Sequence, residues 1–546
     1  MKVVIWMLFL LILYLFYSHA KYSNTGIDLA DESFNYFLLK SSEKGFPFKV
    51  YGNLFEPIIK ILNLELAEIR MLSLVVHLLS GFILATAVKL KFCKLNNNWS
   101  PVHTAFISLT PLTLYGAQGR ILSYNSFTFC VASLILSCLL FSFTCRKKGM
   151  SSTLILFCAI LTGIQFGVKF PVFLILFSLI FLIILISSNY ANILVFSLGT
   201  FFGIIIVYND INFFEILKHF SVAIGEYGFA RFHDSKSFLD LYFYSAYIHF
   251  FQILTKIDLI IVLFTMVYIR KSSILNSLLV LTLFGYLIIR SFYCGYLQSG
   301  DSASYFSSMP WFLAVISLII LSFYYFYKNI VDFKKIETLA LIILFISPFL
   351  CSLGTNTALL KQFPIYLTFS SVLIVLLLCK LPKTKGSFLI PLYLLIITFS
   401  ISFNSIFQNP VRIAQPLNLI SNKPRISDAG DIRLDDNSEL IISNVISFID
   451  SNTNSGSSLP YIDIAGMPGT YLFVNKMRDF PYHGKWLDTT STNRLERIFS
   501  ELKKSSKNKI LIHCKQNSRL KKFGSFESRK IIKGTNSMVG LFILNS

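Results

Sequence analysis

Long apolar runs constrain the fold of this chain more than any other feature. Runs of the roughly 20 residues that a helix needs to cross a bilayer, with allowance for tilt, recur about thirteen times before residue 405. Hydrophobic residues make up 54% of the 546 residues and charged residues only 14%, too few to cover a water-soluble core of this size. The sequence therefore predicts an all-α polytopic membrane bundle. The predicted spans are 3–18, 68–89, 102–118, 122–144, 151–167, 170–188, 191–208, 254–269, 274–290, 309–327, 337–353, 364–380 and 386–404.

Basic residues in the short connections predict how the bundle is oriented. With the N-terminus in the cytoplasm, almost every inner connection carries a basic cluster, as the positive-inside rule requires. These clusters contain Lys89, Lys91 and Lys94; Arg146, Lys147 and Lys148; Arg270 and Lys271; Lys328, Lys334 and Lys335; and Lys380, Lys383 and Lys385. They account for much of the net charge of +21, and no nucleic-acid-binding module of the usual kinds is present. We therefore expect no nucleic-acid partner, a cytoplasmic N-terminus and an extracytoplasmic C-terminus, with a bacterial inner membrane as the location.

The chain divides into a membrane domain, residues 1–404, and a polar, basic C-terminal domain, residues 405–546. The orientation places two large loops of the membrane domain, 19–67 and 209–253, on the outer face. Their apolar residues recur at near-helical spacing, which predicts amphipathic helices in the membrane interface. The C-terminal domain is predicted to be a soluble α/β domain on the same face. Its predicted elements are buried strands at 509–513 and 538–544 and a helix at 437–450.

An acidic stretch, residues 26–36, follows the first span directly and contains Asp28, Asp31 and Glu32. A single carboxylate in an outer loop is usually solvated, but three within five positions beside a membrane surface indicate a site. Sugar transfer needs a base that deprotonates an acceptor hydroxyl or amine, and a carboxylate near a low-dielectric region suits that role. The sequence predicts Asp31 as that base. The alternative use of Asp28 and Asp31 as ligands of a hard metal ion has no partner cluster in the sequence.

Four cations lie on the outer side, where the positive-inside rule disfavours them: Lys169, Arg290, Arg120 and Arg231. Lys169 occupies a tight turn between two apolar runs, where an unpaired charge is costly. Snorkelling of these side chains to the headgroups is the structural alternative. The functional interpretation is that they stabilise the charge on the phosphate leaving group of a lipid-linked donor. We rank Lys169 first, Arg290 second and Arg120 third, and leave Arg231 open.

Two motifs carry a resemblance to a known family. Asp31-Glu32, followed by Tyr36, lies in the first outer loop, and residues 163–171 form a Gly…Lys-x-Pro turn between adjacent spans. Together, at these positions, they resemble the GT-C superfamily of polytopic glycosyltransferases, in particular the protein O-mannosyltransferase and aminoarabinose-transferase branches. The resemblance covers the membrane domain, whereas the C-terminal domain matches only in position. It implies inverting transfer from a polyprenyl-phosphate sugar without a divalent metal or other cofactor, with Asp31 as the base and Glu32 positioning the donor or acceptor.

One segment departs from the family pattern. Relatives often carry an aspartate after the arginine at the outer end of the third or fourth helix, but after Arg120 this chain has Tyr124 and Asn125. We expect this segment to shape the acceptor site instead. Asp301 lies in a stretch with turn composition and is either a turn residue or an acceptor-binding residue. The acceptor candidates are thus Asp28, Arg231, Tyr124, Asn125 and Asp301.

The sequence therefore predicts an integral membrane glycosyltransferase that transfers a sugar to a glycan, lipid or protein acceptor on the extracytoplasmic face. One alternative is an outer-face polysaccharide polymerase or ligase, which also uses large outer loops and arginines but does not need the Asp-Glu pair. A second is a lipid-linked sugar flippase or transporter, which predicts ionisable residues at mid-depth; the apolar runs contain few. Motifs of zinc proteases, serine hydrolases and P-loop ATPases are absent from the sequence.

Overall fold

The structure is a computed structural model, and its description extends over most of the chain. The described residues are 2–40, 49–92, 99–117, 120–186, 190–208, 257–268, 274–293, 336–352, 366–380, 385–410, 412–452, 459–474, 496, 499–500, 509–515, 520, 523–532 and 535–544. Four sequence predictions lie outside them: the second large outer loop, the span 309–327, Arg231 and Asp301.

Apolar helices dominate the described part of the chain up to residue 403. In chain order they are α1 Lys2–Lys21, α2 Asp31–Lys40, α3 Lys49–Ile61, α4 Leu66–Phe92, α5 Pro101–Leu109, α6 Pro111–Ala117, α7 Tyr124–Ser142, α8 Lys148–Val168, α9 Phe170–Ile186, α10 Tyr190–Val207, α11 Ile257–Tyr268, α12 Ile274–Tyr293, α13 Ile336–Ser352, α14 Leu367–Lys380 and α15 Lys385–Phe403. Among the described residues, six helices are long and apolar enough to cross a membrane, and four further apolar helices are shorter. The chain is therefore an integral membrane protein. The full number of spans stays a prediction.

Residues 102–118, predicted as one span, form two helices, α5 and α6. The break falls at Thr110, directly before Pro111, which has no N–H for a helical hydrogen bond and whose ring crowds the preceding turn. The Thr110 hydroxyl lies 2.7 Å from the carbonyl of Ile107 and 2.9 Å from the hydroxyl of Thr368 on α14. The proline thus explains why the apolar run does not continue as one helix.

Helices α8 and α10 pack closely near the end of α8. A Cβ on Gly163 would lie 2.1 Å from the carbonyl oxygen of Thr200, and one on Gly203 would lie 2.2 Å from that of Ile160. Only glycine allows two helix backbones to approach this closely. Helix α8 then ends at Val168 and α9 begins at Phe170, so Lys169 occupies the break between them, as the sequence motif predicts.

The C-terminal region is a small α/β unit. Its elements are β1 Arg425–Ser427, β2 Gly430–Ile432, α16 Asp436–Asn452, β3 Tyr461–Asp463, β4 Lys509–Lys515, β5 Gly524–Ile532 and β6 Ser537–Leu544. The strands β1 and β2 pair antiparallel, and the four-stranded sheet has the order β3-β4-β6-β5, in which only β3 and β4 are parallel. The predicted helix and the two predicted strands are confirmed as α16, β4 and β6.

The acidic stretch shares a hydrophobic core with this C-terminal unit. Side chains from the stretch and from α2, including Ile27, Leu29 and Tyr36, are buried in one cluster with Ile442 and Tyr461 of the C-terminal region. The backbone is also joined, since the amide of Gly26 donates to the carbonyl of Arg433 at 2.8 Å. The acidic stretch is therefore held between the membrane helices and the C-terminal unit.

Candidate active site

Asp28 builds the N-terminus of α2. Its Oδ1 accepts from the amide of Ala30 at 2.8 Å, and its Oδ2 accepts from the amide of Asp31 at 3.1 Å. These bonds satisfy amides that have no partner within the first turn of a helix, which is the role of an N-cap. The Ser33 hydroxyl adds a bond of 2.8 Å to the Asp28 carbonyl. Asp28 is 2% exposed, and burial raises the pKa of its carboxyl to about 7, opposed chiefly by Arg412. Asp28 therefore shapes the loop.

Asp31 is the first residue of α2 and faces water. Its side chain is 47% exposed, and its Oδ2 lies 2.8 Å from Nη1 of Arg412. The N-terminus of a helix carries partial positive charge, so both the helix and the arginine present positive charge to this side chain. Asp31 is thus the carboxylate of the acidic stretch that is accessible to an acceptor.

Arg412 is a site residue that the sequence analysis missed. It lies just after the π-helical turn Asn404–Gln408, where the last span meets the C-terminal domain, and its Nη1 is also 3.8 Å from Oδ2 of Asp28. Its φ of +58° is in the left-handed region that non-glycine residues rarely adopt. A signal was present, because Arg412 lies on the predicted outer side, where a basic residue needs an explanation.

Glu32 turns into the core, away from Asp31. The carboxylate is fully buried: its Oε1 accepts from Nε of Arg70 at 2.7 Å, and its Oε2 accepts from the amide of Asp28 at 3.1 Å. Arg70, on α4, is also fully buried and donates to the carbonyls of Ser23 and Gly26. The sequence predicts that Glu32 positions the donor or acceptor; the structure shows it in an ion pair that ties the acidic stretch to α4.

Arg120 supports the same stretch from the α6–α7 connection. It is 1% exposed, and its Nη2 donates to the carbonyls of Thr25 and Gly26 at 3.0 and 2.8 Å. Burial, together with the charge of Arg70, lowers the pKa of Arg120 to about 10. Its φ of +62° places the backbone in the left-handed region, so the connection is strained to aim this side chain inward. Arg120, predicted to bind the donor phosphate, thus donates hydrogen bonds to backbone carbonyls of the loop.

Lys169 is buried in the α8–α9 break and points towards the Tyr124-Asn125 segment. Its Nζ donates to Oδ1 of Asn125 at 3.0 Å and to the carbonyl of Cys351 at 2.7 Å, and lies 5.9 Å from the ring centroid of Tyr124. Burial lowers the pKa of Lys169 to about 7. Tyr124 and Asn125 are therefore neighbours of the buried lysine.

Arg290 has a carboxylate partner of its own. Its Nε lies 2.7 Å from Oδ2 of Asp258 on α11, and both side chains are about one-third exposed. The Tyr286 hydroxyl donates to the same oxygen at 2.8 Å. Of the predicted site residues, the structure thus brings Asp28 and Asp31 together at the start of α2 and Tyr124, Asn125 and Lys169 together at the α8–α9 break, and it links Glu32 and Arg120 to the loop backbone. Within the described ranges, no group of three or more His, Cys, Asp or Glu is placed to hold a metal ion.

Two crystal structures of one bacterial protein are similar to this chain. ArnT from Cupriavidus metallidurans in the apo state shares 10% identity with a TM-score of 0.34, covering 94% of this chain and 88% of that one. The same protein bound to undecaprenyl phosphate shares 10% identity with a TM-score of 0.39, covering 98% and 97%. ArnT is an aminoarabinose transferase, one of the branches that the sequence motifs resemble. No protein-family model and no curated protein sequence matches the chain.

Proposed function

We propose that this chain is a membrane glycosyltransferase that moves a sugar from a polyprenyl-phosphate donor to a glycan, lipid or protein acceptor on the extracytoplasmic face. The observation that carries the proposal is the surroundings of Asp31. This half-exposed carboxylate begins a helix and lies 2.8 Å from the Arg412 guanidinium. An accessible carboxylate beside a guanidinium, with the buried Lys169 as a second cation, supplies the base and the phosphate-binding charges that sugar transfer requires.

The reaction assigns a task to each of these groups. The acceptor oxygen or nitrogen attacks the anomeric carbon of the donor as its proton passes to the Asp31 carboxylate. The bond between the anomeric carbon and the phosphate oxygen breaks, and its electron pair stays on the lipid phosphate. The Lys169 ammonium and the Arg412 guanidinium oppose the negative charge that grows on that phosphate. Direct attack from the opposite face inverts the anomeric configuration.

Asp31 is paired with Arg412, so donor binding has to exchange partners. The donor phosphate is a diester with one negative charge that accepts paired bonds from a guanidinium, and it gains a second charge as the bond to the anomeric carbon breaks. Transfer of Arg412 to the phosphate leaves the Asp31 carboxylate beside the anomeric carbon. The base is then released only when the leaving group is in position.

The deeper residues keep Asp31 in place. Asp28 caps α2, Glu32 pairs with Arg70, and Arg120 holds the carbonyls of the stretch, all of them buried. A catalytic group must be held close to its productive geometry, which a flexible outer loop does not achieve alone. We therefore assign Glu32 and Arg120 to the support of the loop.

The proposal is tested with the purified protein in vesicles that contain a synthetic polyprenyl-phosphate sugar and a lipid or glycan acceptor. We expect a product with one added sugar, detected by mass spectrometry. Asp31→Asn abolishes its formation, and the control Asp431→Asn, at an exposed position on β2, does not. A ladder of products would indicate a polymerase, and movement of the donor across the bilayer without a new glycosidic bond would indicate a transporter.

A further inference from the structure

We infer that Asp463, His513 and Gly469 of the C-terminal domain are positioning residues that set the place of the Asp31 loop. The inference rests on the proposed function for its catalytic consequence, but not for the contact itself. It gives the C-terminal domain a positioning role in the reaction. A buried Asp–His pair organises a tight turn, and this turn contacts the acidic stretch.

The Asp–His pair joins two parallel strands. Asp463 on β3 and His513 on β4 are register partners, and Nδ1 of His513 lies 2.5 Å from Oδ2 of Asp463. Neither side chain is more than 1% exposed. A short hydrogen bond in so dry a place is strong, and it fixes the carboxylate in one orientation.

The fixed carboxylate organises the 3₁₀ turn Pro468–Leu472. Its Oδ1 accepts from the amide of Met467 at 2.9 Å, and its Oδ2 accepts from the hydroxyl of Thr470 at 3.3 Å. The Asp463 amide donates to the Tyr471 hydroxyl at 2.9 Å, and the Tyr461 hydroxyl donates to that of Thr470 at 3.0 Å. The turn is therefore folded around one aspartate.

The tip of this turn lies directly on the acidic stretch. The amide of Gly469 donates to the carbonyl of Leu29 at 2.7 Å. A Cβ at Gly469 would lie 2.4 Å from the Ser33 hydroxyl and 2.8 Å from Cα of Leu29. Backbone is thus packed on backbone, with no room for even one methyl group. Leu29 follows the cap residue Asp28, so a displaced Leu29 moves the start of α2 and with it Asp31.

The contact between Gly469 and Leu29 is expected to affect the rate of the reaction and not only the stability of the fold. A shift of about 1 Å in a catalytic group lowers a rate constant about 10²-fold even when substrate still binds. Under the proposed function the donor phosphate binds Lys169 in the α8–α9 break and Arg412 after the last span, both outside this turn, so donor binding is not expected to depend on the turn. Loosening the turn therefore lowers kcat and leaves the donor KM unchanged.

The test uses the full-length protein and three variants. Gly469→Ala inserts the methyl group that the contact excludes, and Asp463→Asn weakens the pair without changing its size. The control Gly149→Ala adds the same methyl group at a glycine with nothing within 4 Å of the new Cβ. Each variant is characterised by donor-binding stoichiometry, by kcat and KM for transfer, and by amide hydrogen exchange of peptides covering residues 26–36.

We expect Gly469→Ala to lower kcat about 10- to 100-fold, with one donor still bound per chain and KM within about twofold. Exchange of the 26–36 peptides accelerates, and Gly149→Ala behaves as wild type. Asp463→Asn shows the same pattern, more weakly, and serves if Gly469→Ala does not fold. Unchanged exchange and kcat in both variants would overturn the inference. Faster exchange in a protein whose wild type transfers no sugar would uphold the contact and refute the proposed function instead.

Discussion

Mutation of the buried ion pair between Glu32 and Arg70 distinguishes two roles for Glu32: support of the acidic stretch and contact with substrate. The variant Glu32→Gln removes one charge and leaves the guanidinium of Arg70 in the core with neutral partners only, namely the new amide oxygen and the carbonyls of Ser23 and Gly26. Removing one partner of a buried pair costs about 3–5 kcal/mol, because the other charge remains uncompensated. Both side chains are fully buried, so water does not replace the lost carboxylate.

The matched control is the double variant Glu32→Gln/Arg70→Met, which removes both charges and keeps much of the apolar volume. We expect it to be more stable than Glu32→Gln alone, since a neutral core carries no unpaired ion. Thermal unfolding of the detergent-solubilised protein measures both variants, and donor binding is measured in parallel. The reasoning is refuted if Glu32→Gln unfolds as wild type does and yet binds neither donor nor acceptor. Glu32 would then contact substrate, as the family resemblance implies.

Three further predictions concern the residues around Asp31. Arg412→Gln weakens donor binding about tenfold in a titration, since one charge-assisted hydrogen bond contributes about 1.5 kcal/mol. Arg412→Lys weakens donor binding less. Equal donor affinity in wild type and both variants would contradict the assignment of Arg412 to the donor phosphate. Asp28→Asn keeps one of the two accepting oxygens of the cap and removes a carboxyl whose folded pKa lies above its ordinary 3.8. Wild type therefore loses stability relative to this variant as the pH rises from 4 to 7, by at most about 4 kcal/mol. A stability difference between the two proteins that stays constant across that pH range would contradict the prediction. Because the pKa of Lys169 is about 7, the donor affinity of wild type declines above pH 7, whereas Lys169→Met binds donor weakly at every pH. A wild-type donor affinity that does not change with pH would argue against a role for the Lys169 ammonium.

Local sequence patterns predicted the elements but not the contacts between them. The length of apolar runs located α4, α8 and α9, and the local residue pattern located α16, each to within a few residues, because these signals lie within a single element. The lysine in the break between α8 and α9 was predicted because a charge between two apolar runs is conspicuous. The broken span at Thr110 was not predicted, although Pro111 gave a signal.

Sequence patterns did not predict which residues support the acidic stretch. Arg70 lies at the outer end of a predicted span, where a cation is disfavoured, so the same rule that selected Lys169 applies to it. Its partner Glu32 is 38 residues away, and the pairing follows from tertiary packing. The contact between Gly469 and Leu29 joins residues about 440 positions apart through backbone atoms, which carry no residue-type signal. Three carboxylates of similar appearance thus acquire three different environments only in the fold.

The most direct measurement of the central claim is the single-turnover rate constant of sugar transfer in wild type and Asp31→Asn, with donor and acceptor both saturating. The account predicts that the rate constant falls at least about 10²-fold, the usual contribution of a general base. Donor affinity does not fall, since the neutral amide at position 31 no longer competes with the phosphate for Arg412, and the unfolding midpoint stays close to that of wild type. An Asp31→Asn protein that transfers sugar at the wild-type rate would contradict the account.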